Sequence, residues 1–189
     1  MLTGIDQQFW SNRGEIQNST AESASLISQE SSLEQWKARG DELLRKHHYQ
    51  QAKECYENAQ RPHEEAIANA YILRELANQT VPSAKSSAFN GAAQAFLKCA
   101  REPSNGYIRM PLLKMAAECL EYACEAGEAA HTYVLAGCFD EAIKLQLECK
   151  DYTSALTTFL RYDGLFLPGT DMEYRRRLGQ HFFVERDFR

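Results

Sequence analysis

From Ser32 onward, apolar side chains recur with the 3.6-residue period of amphipathic helices, and no stretch of four or more residues alternates convincingly with the two-residue period of a strand. Ser32 and Gln35 stand at capping-box spacing, and Leu33, Trp36, Gly40, Leu43 and Leu44 follow at helical intervals. The pattern predicts a break at His47 and His48, then a second helix over residues 49–60 that Pro62 ends. A third is predicted over residues 64–78. Val81-Pro82-Ser83 interrupts the chain before a fourth over residues 85–101. Pro103, Ser104, Asn105 and Gly106 mark a loop, and Pro111 suits the first turn of a fifth helix reaching residue 125. Shorter helices are predicted over residues 128–136, 139–149 and 152–162. After the apolar loop Leu165, Phe166, Leu167, a last helix is predicted over residues 171–184. The fold class is therefore all-α.

A second pattern ties the helices together: an aromatic residue, a small residue three positions on, and core residues at seven and ten. Tyr49, Ala52, Tyr56 and Ala59 form one copy, Phe89, Ala92, Phe96 and Cys99 another, and Tyr152, Ala155, Phe159 and Tyr162 a third. Phe139, Ala142, Gln146 and Cys149 are a weaker copy, because Gln146 stands where the others place an aromatic ring. These offsets put four side chains on one helix face, with the small residue admitting a neighbouring helix.

The first hairpin, through Trp36, Gly40, Leu43, Tyr49, Ala52, Tyr56, Ala59 and Pro62, resembles a tetratricopeptide repeat. The aromatic starts at positions 49, 89, 139 and 152 do not keep the 34-residue period of that family. The later half, from Gly137-Cys138-Phe139 to Asp151-Tyr152, looks like the shorter helical repeats of vesicle-coat and clathrin-type solenoids. More broadly, Trp36, Cys55-Tyr56, the segment from Phe89 to Phe96, Ala126-Gly127 and Gly137-Cys138-Phe139 resemble the helical repeat region of large TPR and ankyrin repeat-containing proteins with a UvrD-like superfamily I helicase region. These resemblances imply a right-handed α-α superhelix, a TPR-like solenoid of about nine to ten helices in antiparallel pairs over residues 32–189. They imply a protein-interaction scaffold or, alternatively, an accessory segment of a helicase-like ATPase whose catalytic region lies elsewhere. The tetratricopeptide likeness directs Glu34, Lys37, Asp41, Leu44 and Arg45 into a partner-binding concave face. Asp41 replaces the asparagine that chaperone-binding members use beside their lysine, which argues against a carboxylate clamp at Lys37. The motif at residues 185–189 resembles the cue that opens the helix at Tyr152, so the array is expected to continue past residue 189. An unsealed end helix would favour self-association.

Composition narrows the function classes. The 189 residues are 44% hydrophobic and 11% aromatic, enough for a packed core. Residues 1–31, rich in Ser, Thr, Asn, Gln and Glu, read as a flexible or linker-like lead-in. With 21 basic and 26 acidic residues the net charge is −5, which disfavours a chain built to neutralise nucleic-acid phosphates or to coat an anionic membrane. Arg175, Arg176 and Arg177 are the only basic run, a weak nucleic-acid candidate, because three successive helical residues fan around the helix. The longest apolar stretch, residues 133–139, is far short of the ~20 residues that span a bilayer. The N-terminal residues lack the pattern of a secretory signal, which suggests an intracellular protein, cytoplasmic or nuclear, with its six cysteines as free thiols. No cysteines or histidines stand at zinc-site spacing, and the paired carboxylates Glu64/Glu65 and Glu118/Glu121 lack an accompanying nucleophile or Gly-rich loop. No catalytic, cofactor-binding or metal-ligating residue is assigned. Protein or peptide partners are the expectation.

Overall fold

The structure, a computed structural model, describes residues 32–167 and 169–187, so the lead-in predicted over residues 1–31 lies outside the described residues. Among them are nine α-helices, one 3-10 helix and no strand. The helices are α1 (residues 32–45), α2 (Tyr49–Asn58), α3 (Pro62–Gln79), α4 (Pro82–Arg101), α5 (Arg109–Tyr122), α6 (Ala126–Leu135), α7 (Phe139–Glu148), α8 (Tyr152–Arg161) and α9 (Thr170–Asp187). Pro62 and Pro82 each open a helix two or three residues ahead of the predicted start. A proline lacks only an N–H that the first turn leaves unbonded anyway. The predicted loop at residues 103–106 is the start of the 3-10 helix Pro103–Ile108.

Two compact units divide the chain at Glu65. In the first, α1 and α2 cross at Gly40, where an added Cβ would lie 2.7 Å from the Tyr56 ring. Tyr56 is 1% exposed, and its hydroxyl donates to Asp41 Oδ1 at 2.8 Å. The missing side chain of Gly40 is thus what admits the Tyr56 ring, while Trp36, one turn earlier on α1, is 40% exposed.

In the second unit each helix from α4 to α9 packs on its sequence neighbours. α6, α7 and α8 are ten residues long and begin at residues 126, 139 and 152, so one helix and its turn occupy 13 residues. The C-terminal part of α5 is in the same register. Ala116, Ala129, Ala142 and Ala155 stand at the fourth position of four successive 13-residue units, all 0% exposed, and each admits its neighbour's backbone. Four positions on come Leu120, Tyr133, Gln146 and Phe159, also buried. The repeating element is a single short helix rather than the 34-residue pair of a tetratricopeptide repeat.

The turn between units recurs in detail. His47, Gln60, Cys124, Gly137 and Lys150 each adopt positive φ, between 55° and 72°. The next residue donates its N–H five residues back, as from Glu125 to Leu120, Cys138 to Tyr133 and Asp151 to Gln146. The positive-φ residue itself donates three residues back, completing a Schellman motif that satisfies the last carbonyls of each helix. Ser86 adds a bond from its hydroxyl to the Ala123 carbonyl at 2.8 Å, and Arg74 joins α3 to α5 through Glu118 at 2.9 Å.

Candidate interaction groove

The face predicted on α1 is largely occupied by bonds within the chain. Lys37 Nζ lies 2.9 Å from Asp41 Oδ2, and this hydrogen bond raises the Lys37 pKa. The other Asp41 oxygen accepts from Tyr56, and Glu34 pairs with Arg61. Leu44 is half-buried, and Arg45 is exposed. The arginine run fans out as its spacing predicts. Arg175 bonds Asp163 at 3.0 Å and lies 5.1 Å from the Phe159 ring centroid, while Arg176 is exposed and Arg177 half-buried.

The cysteines are free thiols, with Cys55, Cys99 and Cys119 buried. Burial pushes the Cys119 thiol up to about 11 and raises Cys99 as well, so both remain protonated and unreactive at neutral pH. Among the described residues no three His, Cys, Asp or Glu side chains group to hold a metal ion, and no helix is long and apolar enough to cross a membrane.

A groove of about 410 Å³ runs over α7. Three-residue turns reverse the chain between helices, so α6 and α8 run in the same direction and form its walls, while α7 lies between them as the floor. Two departures from the 13-residue pattern create it. The first position of the unit is Leu113, Phe139 or Tyr152 elsewhere, but Ala126 in α6, and Gly127 beside it adds no side chain. The eighth position is leucine, tyrosine or phenylalanine elsewhere, but Gln146 in α7.

Gln146 is 9% exposed, and its Oε1 has no hydrogen-bond partner among the described residues. Leaving a buried amide oxygen unpaired costs about 1–3 kcal/mol, which an aromatic or leucine side chain at this position would avoid. Around it the groove is lined by the apolar Ala130 and Val134 of α6 and by Thr157, Thr158 and Arg161 of α8. Asp151 closes one end, its Oδ1 accepting the Ser154 N–H at 3.1 Å and so capping α8. At the other end Tyr162 stacks on Phe139, their centroids 4.0 Å apart.

The pattern of aromatic starts overlooks this site because α6 begins with alanine and so contributes no copy to it. Gln146 is visible in the sequence as an odd residue in an otherwise aromatic position, and that was the available signal. Arg161 carries none, being a single charge at the end of an amphipathic helix.

Comparison of the chain with known protein families, with curated proteins and with solved structures finds no match.

Proposed function

We propose that the chain is a non-catalytic interaction scaffold in which stacked short helices present the groove over α7 to a protein partner. The observation that supports this reading is that both breaks in the 13-residue pattern, Ala126 and Gln146, fall in the same groove. Each forgoes packing that the neighbouring units possess, and residues that break a local rule without a structural gain concentrate at functional sites. Helical-repeat arrays bind through the surface between adjacent elements, where side chains from successive helices converge.

A photo-crosslinking side chain at His131 or Thr157, both exposed on the groove, tests the reading against the same probe at Lys144, exposed on α7. Cross-links to other proteins are expected from the two groove positions and should disappear when Gln146→Phe fills the floor. Equal cross-linking from Lys144, or yields untouched by Gln146→Phe, would refute the groove as the interaction site.

A further inference from the structure

We infer that the open face of α8 and α9 is a dimer interface, on which α9 of one chain crosses α9 of a second copy at Gly179 and covers Leu156 and Leu160.

The 13-residue register shows what kind of element fits this face. Ile143 and Leu147 of α7 are 0% and 2% exposed, in a cluster with Phe159 of α8 and with Tyr174 and Leu178 of α9. Leu156 and Leu160 stand 13 residues later, at the same two positions of α8, yet Leu156 is only half-buried and Leu160 is 67% exposed. With Leu178, Gly179 and Phe182 of α9 they line an apolar groove of about 230 Å³. Where the chain covers this pair of positions itself, it does so with a helix.

Gly179 sets how closely a helix can approach. Glycine is a poor helix former, and this one stands in the interior of the 18-residue α9. Gly40 admits the Tyr56 ring, whereas a Cβ built at Gly179 has nothing within 4 Å among the described residues, so its bare backbone leaves room for another backbone from outside the chain. α9 is itself a helix of the kind required. Met172 and Phe183, both 69% exposed, lie two turns before and one turn after Gly179 on its outer face. A two-fold axis at Gly179 makes that face self-complementary, because the two α9 helices then run antiparallel and a residue four positions after the glycine in one copy meets the residue four before it in the other. Phe183 of each copy thus meets Arg175 of the other, whose guanidinium already lies 5.1 Å from the Phe159 centroid and gains a second ring. Arg175 and Arg176 face Phe183 and Phe182 across the axis rather than each other, so the arginine run does not oppose the pairing.

Sedimentation equilibrium of the purified chain from about 1 to about 200 μM tests this, beside Gly179→Gln, Leu160→Glu and, as a control on the exposed side of α7, Lys144→Glu. Wild type and Lys144→Glu are expected to pass from the mass of one chain to that of two over this range. Gly179→Gln places its side chain in open space and improves helix propensity, so its helical circular dichroism and its thermal midpoint at the dilute end should hold or rise. Its dimer should nevertheless weaken by about tenfold or more, and that of Leu160→Glu likewise. A wild-type chain that stays monomeric throughout would overturn the inference and leave the groove to a different occupant. A dimer indifferent to both substitutions would overturn the face, and one weakened by Leu160→Glu alone would overturn the crossing at Gly179. A mass growing beyond two chains would overturn the closed two-fold.

Discussion

A left-handed backbone conformation strains any residue with a Cβ, by about 1–2 kcal/mol, yet four of the five Schellman turns place His47, Gln60, Cys124 or Lys150 there and only one uses glycine. Replacing Lys150 by glycine relieves that strain and gives back about 0.5–1 kcal/mol as extra freedom of the unfolded chain. A net gain of about 0.5–1 kcal/mol is expected for Lys150→Gly, seen as a rise of a few degrees in thermal midpoint. Gly137→Ala should shift it the other way by about 1–2 kcal/mol, because its φ is +72° and the new methyl would also press on Met110. Thermal melts of the two variants beside wild type check the pair, and a stabilised Gly137→Ala would contradict the turn geometry. The same residues explain what the sequence conceals. A helix end is normally read from its glycine, and with Cys124 and Lys150 in that place only Gly137 marks a turn of the series, and one glycine shows no 13-residue spacing. The buried alanines were readable because close helix contact admits only small side chains. Gln146 was readable as an exception, but its groove was not, because it depends on side chains absent from Ala126 and Gly127, two units from the wall that α8 supplies.

Among the helices, α7 carries two duties at once. Ala142 and Leu145 belong to the hydrophobic cluster shared with α4, α5 and α6, while Ile143 and Leu147 belong to the cluster shared with α8 and α9. Its first turn also fastens the segment that follows α8. Asp140 accepts the Leu167 N–H at 3.1 Å, the Thr170 hydroxyl at 2.7 Å and the Tyr174 hydroxyl at 3.1 Å. Thr170 keeps a second acceptor in the Leu167 carbonyl, and buried Tyr174 keeps the Asp140 main-chain carbonyl at 3.3 Å, so losing the carboxylate removes the bond to the Leu167 N–H and the shorter of the two Tyr174 bonds. Asp140→Ala is therefore expected to destabilise the α7–α9 region by about 1–3 kcal/mol. Hydrogen exchange should report it locally, with faster exchange over residues 165–183 and little change in α4 and α5, whose cluster does not include Asp140. Uniform loss of protection across α4 to α9 would instead mean that the two clusters unfold as one. The helix boundaries in this stretch were legible from the period of apolar residues. The Asp140 latch was not, since its partners are 27 to 34 residues away in sequence.

Across the molecule, a buried tyrosine whose hydroxyl reaches a carboxylate on another helix, or at a neighbouring helix end, is a recurring device. Tyr56 donates to Asp41 at 2.8 Å, Tyr133 to Glu121 at 2.9 Å and Tyr174 to Asp140. Burial is the main cause, and the adjacent carboxylate the next, that holds all three phenols protonated well above the usual tyrosine range, Tyr174 pushed up to about 12. Tyr71, packed edge-on against Phe96, is raised by burial as well. In the unfolded chain these phenols release their protons near pH 10, whereas the folded chain keeps them. The stabilisation is thus fully present below pH 10 and is lost as pH rises from 10 through the folded-state values, so unfolding is favoured by base in that window. An alkaline titration followed at 295 nm should show part of the tyrosinate absorbance appearing only together with loss of the helical circular dichroism signal. Tyr174→Phe removes one such group and should narrow the delayed step. Were the absorbance of all nine tyrosines to develop while the helices persisted, the hydroxyl–carboxylate bonds would not be holding these protons, and the packing that buries Tyr56, Tyr133 and Tyr174 would have to open without unfolding.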